Sequence, residues 1–115
     1  NESITVYGDG SQTRSFCFVD DLVEGLIKLM NSNYKRPVNL GNPDEYNMLE
    51  FAELVKEKTS SQSNIVFHEL PIDDPKQRCP DISLANEKLD WEPIISLEKG
   101  IDKTISWFQA CLSRE

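Results

Sequence analysis

Residues 73–83, Asp-Asp-Pro-Lys-Gln-Arg-Cys-Pro-Asp-Ile-Ser, hold one guanidinium, Arg78, between Pro75 and Pro80, with the carboxylate of Asp81 three residues on. Proline fixes its own φ and restricts the residue before it, so Arg78 is presented from a stiffened, extended loop. A planar guanidinium grips phosphate in bidentate fashion, and a carboxylate three residues later, at a helix entrance, suits ribose hydroxyls. Such a pair recognises a nucleotide without performing chemistry. Asp73, Asp74 and Asp81 also offer Arg78 local counter-ions, so both uses stand open in the sequence. Arg14, in Ser-Gln-Thr-Arg-Ser-Phe, is a second candidate cation, its alternative being a solvated surface charge. Asn39, between Val38 and Leu40, puts an amide where apolar burial is expected, and there it either meets a ligand or bonds nearby backbone.

No complete catalytic centre accompanies these groups. Gly-Asp-Gly-Ser-Gln-Thr (8–13) has Thr13 where a dinucleotide fingerprint has its third glycine, so it reads as a turn. The phosphate loop, the zinc-protease helix motif and the nucleophile elbow are not present. His68 is the sole histidine and is expected to be a plain strand residue, which counts against a Ser-His-Asp triad. Cys17, Cys79 and Cys111 are odd in number and widely spaced, so they predict neither a disulfide framework nor a zinc site, and a reduced, cytoplasmic setting is expected. The formal net charge of -8 disfavours nucleic-acid partners, which need a broad basic face. A small phosphorylated ligand needs only one or two arginines. No apolar run reaches the ~20 residues of a membrane helix, and no secretory signal opens the chain.

The elements that must position these groups can be read from periodicity. Residues 3–8 and 14–19 are predicted strands around the glycine turn. Asp20 and Asp21 stand at a helix start, and Leu22, Val23, Leu26, Ile27 and Met30 follow on one apolar face. Residues 37–43 predict a short buried strand, and Asn47 with Glu50 a capping box for a helix whose core face is Met48, Phe51, Ala52 and Val55. Residues 65–70 predict another strand. Asp81 or Ser83 caps a short helix through Leu89, and Ser96 caps a last one striped by Ile101, Ile105, Phe108 and Leu112. Trp91 and Trp107 are expected in a core or an interface. Alternating strands and helices argue for α/β layering in one domain of 115 residues.

Taken together, the segments 5–26, 37–43, 49–55, 73–93 and 96–101 resemble the C-terminal portion of extended short-chain dehydrogenase/reductase enzymes acting on nucleotide sugars. The resemblance is nearest to UDP-glucuronate decarboxylases, with dTDP-glucose 4,6-dehydratases and UDP-sugar 4-epimerases as alternatives. It implies a Rossmann-type α/β fold without its glycine loop, residues 1–115 forming the nucleotide-sugar-binding portion and an NAD-binding domain lying upstream. It implies that Arg14 and Arg78 grip the diphosphate of a UDP-sugar and that Asp81 lies near the ribose. Val6 and Tyr7 are implied to lie against the base through backbone and side chain, with Gln12 and Asn39 as further nucleotide-side candidates. NAD is implied for the parent enzyme, a homodimer, and none for this chain alone. The family's Tyr-x-x-x-Lys pair is missing: the residues four after Tyr7, Tyr34 and Tyr46 are Ser11, Val38 and Glu50, so the chain alone is expected to be inactive. The helix from Asp20 is expected to leave its apolar face exposed or self-associated. A rival of another class is a non-catalytic nucleotide-binding or interaction domain.

Overall fold

A computed structural model describes residues 2–114. The elements run β1 (Ile4–Tyr7), β2 (Thr13–Ser15), α1 (Val19–Met30), β3 (Glu45–Asn47), α2 (Met48–Lys58), β4 (Ile65–His68), α3 (Ser83–Leu89) and α4 (Leu97–Leu112). They divide into two compact units: the described residues up to Arg14 with Glu45–Arg78, and Ser15–Asp44 with the described residues from Cys79 onward.

In the first unit β1 and β4 are parallel neighbours, with Val6 opposite Phe67 and Tyr7 opposite His68. Parallel strands need a long crossover, here supplied by α2, which packs on β1. The α/β expectation therefore holds. The capping box forms: Glu50 N–H donates to Asn47 Oδ1 at 2.7 Å, and Asn47 N–H donates to Glu50 Oε2 at 3.3 Å. Ala52 is buried on the core face of α2, with Met48, Phe51 and Val55 half-buried beside it. Gly10 is required twice over: its φ is +80°, and a Cβ there would lie 2.8 Å from Leu49 Cβ.

The second unit is built around Ile82, Ala85, Leu89 and Trp91, against which Cys17, Leu29, Val38 and Leu40 pack. Trp91, only 2% exposed, donates its indole N–H to the Asp21 carbonyl at 3.0 Å. Gly25 makes room for it, since a Cβ on that helix would lie 3.1 Å from both Leu40 and Trp91.

Some local expectations hold and others are corrected. Asp20 and Asp21 lie in the first turn of α1, at the helix start as expected, while Phe18 occupies the cap position without a side-chain bond. The buried Asp21 instead accepts from the backbone N–H groups of Ile94 and Ile95, at 3.1 and 2.9 Å, because the loop after α3 has unpaired donors of its own. The extended segment 14–19 is a strand only to Ser15, and 37–43 forms no strand. An unanticipated short strand, β3, follows it and pairs with β2. Trp107 is 62% exposed, which excludes the core from its two expected places, and Phe108 and Leu112 at the end of the α4 stripe are exposed beside it. Val19, Val23, Leu26, Ile27 and Met30 leave the apolar face of α1 largely open, as expected for that helix.

Trp91→Ala removes the largest core side chain of the second unit together with its bond to α1. A loss of ~3–5 kcal/mol is expected, read from the shift in urea unfolding midpoint; a shift equivalent to less than ~1 kcal/mol would show that Trp91 does not hold this core.

Candidate functional site

The chain leaves β1 through a turn that determines how Arg14 is presented. Gly8 and Gly10 both have positive φ, and Gln12, 6% exposed, donates its side-chain N–H to the Tyr7 carbonyl at 2.8 Å. The Gln12 carbonyl accepts from Met48 N–H at 3.1 Å. Gln12 thus closes the turn from inside, a role that sequence reasoning missed. Val6 is buried, so its backbone rather than its side chain is what a ligand could meet. Tyr7 is 48% exposed, and its ring stands edge-on to the cross-strand His68, with centroids 6.4 Å apart.

Arg14 is not a free surface charge. Its Nη1 donates to the Thr13 carbonyl at 2.6 Å, and its Nη2 forms a 2.6 Å ion pair with Asp74. Asp74, a neighbour of Arg78 in sequence, is therefore spent on the other arginine. Arg78 is exposed and makes no ion pair among the described residues. Its loop is fastened along β2: Thr13 N–H donates to the Lys76 carbonyl at 2.8 Å, and Glu45 accepts from both Thr13 Oγ1 and Gln77 Nε2 at 2.9 Å. Glu45 was invisible to sequence reasoning because β3 was not anticipated.

Asn39 and Asp81 belong to the second unit, where the amide of Asn39 donates to the Asp81 carbonyl at 3.3 Å. Asn39 thus bonds backbone, one of its two expected uses. Asp81 Oδ1 accepts from Ser83 N–H at 2.9 Å at the entrance to α3. Bonds from the Ser83 backbone and hydroxyl hold the Asp81 carboxyl below its ordinary value. Cys79 sits before Pro80 with its Sγ 3.2 Å from the Pro43 carbonyl. Cys17, by contrast, has its thiol pushed up by burial, with the nearby Asp21 charge adding to the effect. Among the described residues no cluster of three or more His, Cys, Asp or Glu could hold a metal, and no helix is long and apolar enough to cross a membrane.

A depressed carboxyl stabilises the fold above its unfolded value, and that contribution is lost as pH falls through the folded value. Asp81→Asn keeps an acceptor but cannot titrate. The stability advantage of the native protein over Asp81→Asn should therefore shrink on acidification, measured by thermal unfolding from neutral to acid pH; a pH-independent difference would show that the carboxylate's charge does not contribute.

The family model described as GDP-mannose 4,6 dehydratase matches residues 1–104. UDP-glucuronic acid decarboxylase 1 of Danio rerio is 53% identical over 114 residues, which is 99% of this chain and 27% of that protein. The chain thus spans about a quarter of that relative's length. A UDP-glucose 4-epimerase from Thermotoga maritima, solved with UDP-glucose, superposes with a TM-score of 0.90 at 29% identity over 96% of this chain and 36% of its own. A UDP-glucuronic acid 4-epimerase from Bacillus cereus, solved with UDP-glucuronic acid and NAD, shares the fold at a TM-score of 0.85 and 24% identity over 95% of this chain and 36% of its own. With the family model covering nearly its whole length, this chain belongs to the GDP-mannose 4,6-dehydratase family, nucleotide-sugar enzymes of the extended short-chain dehydrogenase/reductase type with a Rossmann-type α/β fold.

Proposed function

We propose that this chain is the nucleotide-sugar-binding portion of an NAD-dependent UDP-glucuronate decarboxylase, which converts UDP-glucuronate into UDP-xylose and carbon dioxide. The observation that carries the reading is the 53% identity to a decarboxylase along 99% of the chain. The arrangement of the arginines supports it. Arg14 and Arg78 lie in one unit, on β2 and on the loop fastened along it, and two guanidinium forks suit the oxygens of a diphosphate. In this reading Asp81 takes ribose hydroxyls, and the half-exposed Tyr7 ring and the Val6 backbone meet the uracil. Gln12 acts through the turn it closes, and Asn39 through the backbone of Asp81.

When bound, NAD supplies hydride acceptance from C4 of the sugar and hydride return after the β-keto acid has lost carbon dioxide. No residue of this chain is assigned to holding it, because the sequence has neither the glycine loop nor the Tyr-x-x-x-Lys pair. The cofactor-binding domain, a homodimeric assembly and a cytoplasmic setting belong to the proposed parent; free Cys17, Cys79 and Cys111 accord with a reducing compartment.

Incubating the full-length protein with UDP-glucuronate and NAD tests the activity. Carbon dioxide and a UDP-pentose are expected. A UDP-uronate of unchanged mass but inverted C4 would replace the decarboxylase with an epimerase, and no turnover of any UDP- or dTDP-hexose would favour the non-catalytic rival.

Binding is tested separately by calorimetry with UDP. A hydrogen bond to a charged group contributes ~1.5–3 kcal/mol, so Arg14→Ala or Arg78→Ala should each weaken binding about 10- to 150-fold. Substitution of the exposed Lys35 should change it little. An unchanged dissociation constant for either arginine variant removes that residue from the site.

A further inference from the structure

We infer that Asp74 is a positioning residue of the diphosphate subsite, orienting the Arg14 guanidinium and, through the same contact, anchoring the loop that carries Arg78. The inference rests on the nucleotide-sugar reading above and deepens it.

A guanidinium has five N–H donors on one rigid plane. Two short bonds, from Nη1 to the Thr13 carbonyl and from Nη2 to Asp74, both 2.6 Å, fix that plane and leave further donors for a ligand. The pair is partly shielded, the Arg14 and Asp74 side chains being 21% and 30% exposed. An unheld arginine has rotamer entropy to lose on binding. Here much of that ordering is complete before a ligand arrives.

The contact also joins residues far apart in sequence. Arg14 lies on β2 and Asp74 on the loop after β4, and the bonds of Lys76 to Thr13 and of Gln77 to Glu45 follow directly along the same loop. Arg78 is the next residue. Its position therefore follows from a segment clamped at residues 74, 76 and 77.

Charge alone would give Asp74 the opposite effect. A carboxylate beside the site repels a diphosphate and competes for the same donors, so its removal would tighten binding if attraction between charges decided the matter. Orientation and loop anchoring oppose that term, and the sign of the change shows which prevails. Arg78 has no ion pair among the described residues, so no bonded carboxylate offsets its charge.

The experiment is a double-mutant cycle in the full-length protein, with calorimetric Kd for UDP and melting temperature for each variant. Asp74→Ala should weaken binding about tenfold, Asp74→Asn by less, and Asp74→Glu should recover most of the native affinity. In the Arg14→Ala background, adding Asp74→Ala should change the Kd no further. Unchanged or tighter binding in Asp74→Ala, or an equal loss with and without Arg14, overturns the inference while leaving the nucleotide site standing. If Asp74→Ala does not fold, Asp74→Asn decides by the same criteria. Native affinity in Arg14→Ala itself would overturn the diphosphate role of Arg14 and this inference together.

Discussion

Reversal of the chain between Tyr7 and Thr13 depends on two glycines and one buried amide. Gly8 and Gly10 adopt φ of +63° and +80°, values that a residue with a Cβ reaches only with strain. Gln12 then bonds the Tyr7 carbonyl from within the turn, while the Gly10 and Gln12 carbonyls accept from Leu49 and Met48 at the start of α2. One short segment thereby fixes the end of β1, the start of β2 and the entry of α2. Arg14, two residues beyond Gln12, is placed by that turn rather than by any bond of its own backbone to a distant strand of the sheet formed by β1 and β4.

In an acidic chain, the carboxylates that pair with each cation decide how much positive charge stays open to solvent. With 20 Asp and Glu against 12 Lys and Arg, the local pairing matters more than the total. Asp74 is committed to Arg14, Glu45 to Thr13 and Gln77, and Asp81 to Ser83. Each of these three carboxylates has a stated partner, and Arg78 is an exposed cation without an ion pair among the described residues. The proline bracket that marks Arg78 in the sequence thus belongs to a loop whose tethers, rather than its stiffness alone, determine where the guanidinium stands.

The second unit shows a different balance. Its core is small and centred on Trp91, yet α1 carries a continuous apolar face that its own unit does not cover, and α4 exposes Trp107, Phe108 and Leu112. Amphipathic periodicity reports that a face suits burial; it does not report which surface meets it. The same limit explains Trp107, whose ring rests edge-on against Phe108 at 4.9 Å on the exposed side of α4.

Sequence alone determined the α/β class, the glycine turn, the Asn47 and Ser96 caps and the α2 core face. All of these rest on local rules: allowed φ, side-chain bonds within one helical turn, and apolar spacing. Tertiary structure alone decided that 37–43 is not a strand and that β3 pairs with β2, because strand pairing depends on a partner distant in sequence. It also decided that Asp21 serves the loop at Ile94 and Ile95 instead of its own helix, and that Asp74 takes Arg14 instead of the nearer Arg78. A carboxylate bonds to whichever donors the fold brings within about 3 Å, and proximity along the chain does not supply that distance.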